Sequence, residues 1–219
     1  MRKLLLLILL AAVTACEMDD YGKGEGQYSL VRADFAQAHV GADKAIDYIV
    51  TDDGNRLSLL IPFTAKWLTT ASTTERVLIY YRDRGTQAEV VSVSQVPVAQ
   101  IQHRVDSEKT AETDPVKLES MWLSKNRRYL NANIILMMGS TDEAEAKHHL
   151  GVVRDSTLTH PDGRSTLCLR LLHNQGGVPE YYSYSTYFSI PLSDITTDSV
   201  CLSVNTYSGL VSKTFSIDD

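Results

Sequence analysis

Two cysteines in the C-terminal half are the side chains best suited to covalent chemistry. Cys168 and Cys201 each lie on the polar face of an alternating segment, opposite leucines or valines. If their strands are neighbours, a disulfide is feasible, because bridged Cα atoms lie within about 7 Å of each other. The alternative is two separate thiols covered by another part of the chain. Neither cysteine has a local histidine or a helix N-terminus to make it a nucleophilic thiolate, so we do not expect a catalytic cysteine.

Histidine and carboxylate pairs also fail to form a recognisable reactive set. His148 and His149 are adjacent, and adjacent side chains of a strand point to opposite faces, whereas helical metal ligands are three or four residues apart. Asp52 and Asp53 could serve as a glycosidase acid and base, but they open an Asp-Gly turn, where aspartate is favoured by its local backbone hydrogen bonds. The sequence contains no serine-nucleophile or phosphate-loop motif. We therefore predict no catalytic residues, no metal ligands and no cofactor.

An aromatic cluster is the strongest candidate for recognition. Tyr181, Tyr182, Tyr184, Tyr187 and Phe188 fall within eight residues around one predicted strand. Alternation places Tyr182, Tyr184 and Phe188 on one face, and Tyr181 and Tyr187 on the other. Exposed tyrosines suit protein or sugar recognition, so the four tyrosines are candidate ligand contacts. The alternative is cross-strand aromatic packing that stabilises the sheet.

The N-terminus has the pattern of a secretory signal. Two cations are followed by an apolar run at 4–12 and by Val13-Thr14-Ala15-Cys16. The run is shorter than the roughly 20 residues that a membrane-spanning helix needs. The residues before Cys16 resemble a lipobox, so we predict a signal peptide at 1–15, cleavage before Cys16 and its acylation with fatty acids such as palmitate. Attachment to a membrane would then be effectively permanent. An ordinary secretory signal with a chance cysteine is the alternative.

An acidic, glycine-containing tether is predicted at 16–27. Glu17, Asp19 and Asp20 lie directly beside the predicted lipid. A similar cluster marks lipoproteins of some Gram-negative anaerobes for export to the cell surface; alternatively, the acidic residues only keep the tether solvated. We predict an outer-membrane location with the protein facing the exterior. The formal net charge of −6 disfavours nucleic-acid binding, which needs clustered Lys and Arg.

Period-two alternation predicts an all-β chain in two domains. Five strands are predicted in a barrel at 28–102, with an Asp-Gly hairpin between the second and third and a helical turn at 65–70. A polar linker is predicted at 103–115, where Pro115 marks the boundary. Seven strands in 116–219, at short and regular spacing, indicate an Ig-like antiparallel β-sandwich, with one short helix at 141–147. The predicted strands are 28–36, 45–50, 56–61, 76–81, 89–96, 116–123, 130–138, 148–153, 166–173, 182–190, 200–204 and 211–217.

Four segments of the chain resemble NigD-like proteins: 114–123, 169–174, 179–182 and 204–209. The order of lipobox, acidic tether, five-strand unit and sandwich is similar as well. The resemblance implies an N-terminal OB-like barrel and a C-terminal β-sandwich, and it carries no catalytic signature. The family takes its name from a gene of a bacteriocin operon, for which an immunity role has been suggested.

Two functions are consistent with these patterns. The first is a non-catalytic envelope lipoprotein, exposed at the surface, that binds a glycan or a protein. The second is a periplasm-facing protein, either an immunity factor or an envelope scaffold. The acidic tether favours the first.

Overall fold

The computed structural model describes residues 30–103, 113–141 and 146–218. The predicted signal peptide, the lipidation site at Cys16 and the acidic tether lie outside these ranges. Within them, no helix is long and apolar enough to cross a membrane.

The first five strands close into a barrel in the order β1-β2-β3-β5-β4, with β4 returning to β1. The β3–β5 pairing is parallel and the others are antiparallel. This confirms the expected five-stranded barrel, and its strand order fits an OB-like fold. The strands are β1 (Val31–Val40), β2 (Ile46–Thr51), β3 (Arg56–Phe63), β4 (Thr73–Asp83) and β5 (Gln87–Gln95).

Small and β-branched residues allow this barrel to close around a narrow core. Ala36, Ala38 and Val40 alternate along β1 and are fully buried. Register shifts, such as the one between Tyr80 and Tyr81, bend the strands enough for closure. The predicted Asp-Gly hairpin joins β2 to β3, and Gly54 adopts a φ of 84°, which a glycine accepts without strain.

The segment expected to be helical between β3 and β4 forms a single turn. The amide of Leu68 donates to the carbonyl of Ala65 at 3.1 Å. Leu68 is buried and packs against the barrel core.

Two sheets form the C-terminal sandwich, and its central strands β10 and β12 bury alternate residues between them. One sheet has five strands in the order β13-β12-β10-β9-β6, and the other has three in the order β11-β8-β7. The strands are β6 (Ile101–His103), β7 (Lys117–Leu123), β8 (Tyr129–Met138), β9 (His149–Thr159), β10 (Ser165–Asn174), β11 (Tyr182–Pro191), β12 (Ser199–Thr206) and β13 (Gly209–Ser216). The most deeply buried residues of its core are Leu130, Ala132, Ile134, Val152, Leu167, Leu169, Ile190, Val200, Leu202 and Val204.

The sandwich differs from the predicted one in two respects. It has eight strands rather than seven, because β6, whose first two residues were assigned to the barrel, pairs with β9. It is also not wholly antiparallel, since β6–β9 and β10–β12 are parallel pairs. Both differences arise where the chain crosses between the two sheets. Strand β11, which follows β10 in sequence, lies in the three-stranded sheet, so β12 returns beside β10 in the same direction.

The short helix predicted at 141–147 is not seen in the part of it that the structure describes. Residues 142–145 lie outside the described ranges, and Thr141, Ala146 and Lys147 are not helical.

Arg76 of β4 joins the barrel to the sandwich. Its side chain is buried, and its guanidinium donates to both carboxylate oxygens of Asp52 at 2.6 and 2.7 Å. Across the domain boundary it donates to Ser189 Oγ and to Asn131 Oδ1, both at 3.2 Å. The Ser189 hydroxyl also donates to Asn131 Oδ1 at 2.7 Å. One buried cation is therefore shared between both domains.

Aromatic rings surround this cation. The guanidinium carbon lies 4.1 Å from the ring centroid of Tyr129 and 5.4 Å from that of Phe35, distances at which the ring face attracts a cation. The barrel residue Phe35 in turn meets Trp122 and Tyr187 of the sandwich edge-on, each at 5.4 Å between centroids. Charge and apolar contact therefore hold the same interface.

We expect Arg76→Met to lower the free energy of unfolding by about 3–5 kcal/mol, because it leaves the Asp52 carboxylate without its buried partner. The matched control is Lys125→Met, which removes the exposed interdomain ion pair of Lys125 with Asp53, 2.9 Å apart. That pair should contribute at most about 1 kcal/mol. Urea unfolding measures both changes, and equally small losses in the two variants would contradict the role given to Arg76.

Candidate functional site

Strand β11 carries the predicted aromatic cluster, and it is buried at one end and exposed at the other. Tyr182, Tyr184 and Phe188 pair with alternate residues of β8 and so share one face of the sheet, as alternation predicted. Phe188 is buried in the sandwich core. Tyr182 and Tyr184, on the same face, are 53% and 54% exposed.

Tyr187, the fourth predicted ligand contact, is half-buried and packs in the contact between the two domains. Its ring lies edge-on to Phe35 at 5.4 Å and to Trp122 at 6.2 Å, inside the interdomain contact. The barrel therefore occupies the face of β11 on which Tyr187 lies. Tyr181, placed by alternation on that same face, precedes the strand and is 77% exposed.

A fourth exposed tyrosine joins this surface from another part of the chain. Tyr207 lies in the hairpin between β12 and β13 and is 56% exposed. Partial burial, and then the charges of Glu180 and Asp114, raise the pKa of Tyr207 above its usual value.

Hydrogen bonds place this hairpin at the same end of the sandwich as the start of β11. Asn205 donates to the carbonyl of Thr113 at 2.6 Å. Gln175 donates both to Asp114 and to the carbonyl of Met137, the partner of Ser183. We name Tyr181, Tyr182, Tyr184 and Tyr207 the tyrosine end.

Backbone packing fixes Tyr181 in this surface. Its amide donates to the carbonyl of Met138 at 2.9 Å. Gly139 lies so close that an added Cβ would be 2.6 Å from the carbonyl oxygen of Pro179 and 2.9 Å from the Tyr181 ring. Only glycine leaves room for this approach. The backbone of Tyr181 is therefore held beside the end of β8.

The histidines near this end form a structural pair. His148 Nδ1 lies 2.9 Å from His173 Nε2, and the outer ring nitrogens of the two residues approach the carbonyls of Met137 and Asp114 at 3.1 Å. Burial, and then the proximity of His173, hold the pKa of His148 below its usual value. His149 is exposed at the start of β9.

Other residues considered for chemistry also have structural partners. Asp52 binds Arg76, and Asp53 pairs with Lys125. Cys168 and Cys201 are direct partners on β10 and β12, half-buried and present as free thiols. Among the described residues, no group of three or more His, Cys, Asp or Glu side chains could hold a metal ion.

A protein-family comparison identifies the C-terminal half. The NigD-like C-terminal beta sandwich domain matches residues 97–217, which is more than half of the chain. The chain belongs to the NigD-like family. The match begins at the end of the barrel and includes β6, in agreement with the sheet to which β6 belongs. A search of curated proteins found no match.

Solved structures share the fold of this NigD-like chain along most of its length. A NigD-like immunity protein from Bacteroides caccae is 21% identical, with a TM-score of 0.61 over 85% of this chain and 97% of that one. A protein of unknown function from Bacteroides vulgatus is 20% identical, with a TM-score of 0.64 over 85% and 90%. A provisionally named lipoprotein from Bacteroides fragilis is 13% identical, with a TM-score of 0.59 over 86% and 98%. At these identities the likeness shows the fold alone.

We expect the stability of this protein to fall as the pH is lowered from 7 toward 5, with His148 contributing. An unfolded histidine titrates near pH 6.5, and folded His148 takes up its proton only at lower pH. Between these two pKa values the unfolded state therefore binds more protons than the folded state. The contribution of His148 to the free energy of unfolding is present above pH 6.5 and is lost as the pH falls through its folded pKa. Urea unfolding across this range should show a shallower pH dependence for His148→Gln. His149→Gln is the matched control, and identical pH profiles for the two variants would contradict the assignment.

Proposed function

We propose that this NigD-like protein is a non-catalytic lipoprotein of the cell envelope whose tyrosine end binds a protein or glycan ligand. In this proposal a lipid on Cys16 holds it to the outer membrane, and the acidic tether directs it to the cell exterior. The observation that carries the proposal is the exposure of four tyrosines from two separate segments on one end of the sandwich.

The chemistry of the tyrosine end suits recognition. Each tyrosine offers a large, stiff ring with a polar hydroxyl at its tip, and few rotatable bonds are immobilised on binding. Such a surface can stack on a sugar ring or pack against a protein side chain. Tyr182 also lies five residues before Tyr187 on β11, a separation of about 17 Å at roughly 3.3 Å per residue. A ligand at Tyr182 would therefore be well removed from the interdomain contact.

The arrangement of reactive side chains favours binding over catalysis. The two carboxylates considered for chemistry, and His148, are engaged with structural partners, as in the contacts of Asp52 with Arg76 and of His148 with His173. A catalytic acid or base needs access to the proton that it transfers. The related structures are described as immunity proteins or as proteins of unknown function, not as enzymes.

The alternative is a periplasm-facing immunity or scaffold protein. It is favoured by the shared fold of the Bacteroides caccae protein, which is described as a NigD-like immunity protein. The two proposals differ in the side of the membrane from which the tyrosine end meets its ligand.

Replacing exposed tyrosines tests the binding surface. We expect the double variant Tyr182→Ser, Tyr184→Ser to bind about tenfold more weakly, or weaker still. Losing two central aromatic contacts commonly costs more binding free energy than the roughly 1.4 kcal/mol that a tenfold change in affinity requires. The probes are an array of neutral and acidic oligosaccharides and a blot of separated envelope and host-surface proteins. The matched control is Leu60→Ser with Ile61→Ser, which removes exposed apolar side chains from β3 of the barrel. Equal binding by the native protein and the tyrosine variant would place the ligand elsewhere.

A further inference from the structure

The two cysteines of the sandwich are brought together by its parallel crossover. Strands β10 and β12 pair in parallel, with Cys168 directly opposite Cys201. On either side of them, Leu167 pairs with Val200 and Leu169 with Leu202, and these four residues are buried in the core. Alternation therefore turns both thiols to the same outer face of the five-stranded sheet.

The spacing of the strands permits a covalent bond but does not favour an unstrained one. Neighbouring strands lie about 4.7–4.9 Å apart, within the 4.4–6.8 Å that disulfide-bonded Cα atoms span. Directly opposed parallel residues keep their Cβ atoms at about the strand spacing, whereas a relaxed disulfide brings them to about 3.8 Å. A bond here would pull the strands together, and strained disulfides are the more easily reduced.

The pair is also accessible from solvent. Both cysteines are half-buried and line an open pocket of about 590 Å³ on the outer face of the sheet. Leu158, His160 and Thr214 form other parts of its wall. A small disulfide molecule can therefore reach either sulfur.

We infer that Cys168 and Cys201 form a reversible intramolecular disulfide by exchange with a disulfide oxidant. One cysteine thiolate attacks the oxidant, forms a mixed disulfide and releases one thiol. The second thiolate then attacks the mixed disulfide, forms the Cys168–Cys201 bond and releases the second thiol. Two electrons pass to the oxidant, and the two protons from the cysteines end on the released thiols. The inference is independent of the proposed ligand.

Peptide mapping of the purified mature protein tests this inference. The protein is incubated with oxidised glutathione, its remaining thiols are trapped with N-ethylmaleimide, and its peptides are identified by mass spectrometry. We expect a cross-linked peptide pair containing Cys168 and Cys201, and its loss on adding excess reduced glutathione. The Cys201→Ser variant should instead carry glutathione on Cys168, since no second thiol can displace it.

Several results would overturn the inference. Glutathione adducts on the native protein without the cross-linked pair would show that the strands do not close to bonding distance. Free thiols in both the native protein and the Cys201→Ser variant would show that the oxidant does not reach the pocket. A cross-link that survives excess reduced glutathione would contradict its reversibility. Cys168→Ser provides the reciprocal control, and thermal unfolding of both single variants checks that they fold.

Discussion

The buried guanidinium of Arg76 is the constraint on which the arrangement of the two domains depends. A cation with almost no exposed surface must be compensated at every donor, since an uncompensated buried charge costs several kcal/mol. Asp52 supplies the opposite charge from the barrel, whereas Ser189 and Asn131 supply acceptors from the sandwich. These contacts, together with the ring of Tyr129, are satisfied only when β4 of the barrel faces β8 and β11 of the sandwich. The charge of Arg76 therefore selects one orientation of the barrel relative to the sandwich, and the apolar contacts around it stabilise that interface.

This orientation divides β11 into two parts with different uses. The barrel covers the part that contains Tyr187 and Ser189, and their side chains serve the interface. Near the start of the same strand and on its other face, Tyr182 and Tyr184 remain more than half exposed. A tyrosine-rich strand thus contributes to stability at one end and carries the proposed recognition surface at the other. The close approach of Gly139 to Tyr181 holds the backbone of this tyrosine beside the end of β8.

Much of the fold is readable from local patterns, because strands such as β1, β10 and β12 bury alternate residues in their own domain. The barrel, the Asp-Gly hairpin and the inward leucines of β10 follow from alternation and turn chemistry. Strand β6 escaped detection because three residues carry too little periodicity. The parallel β10–β12 pair and the direct opposition of Cys168 and Cys201 depend on crossovers that no local pattern encodes. The separate roles of Tyr182 and Tyr187 depend on where the barrel docks, and Tyr207 joins the tyrosine end only through the fold.

The central functional claim is that this NigD-like protein presents its tyrosine end outside the cell. Protease treatment of intact cells tests it most directly, with native protein compared with a variant in which Glu17, Asp19 and Asp20 are replaced by alanine. A periplasmic protein serves as the control for envelope integrity. We expect protease to degrade the native protein and to leave the variant intact. Protection of the native protein would contradict exposure at the cell surface and would favour the periplasm-facing alternative.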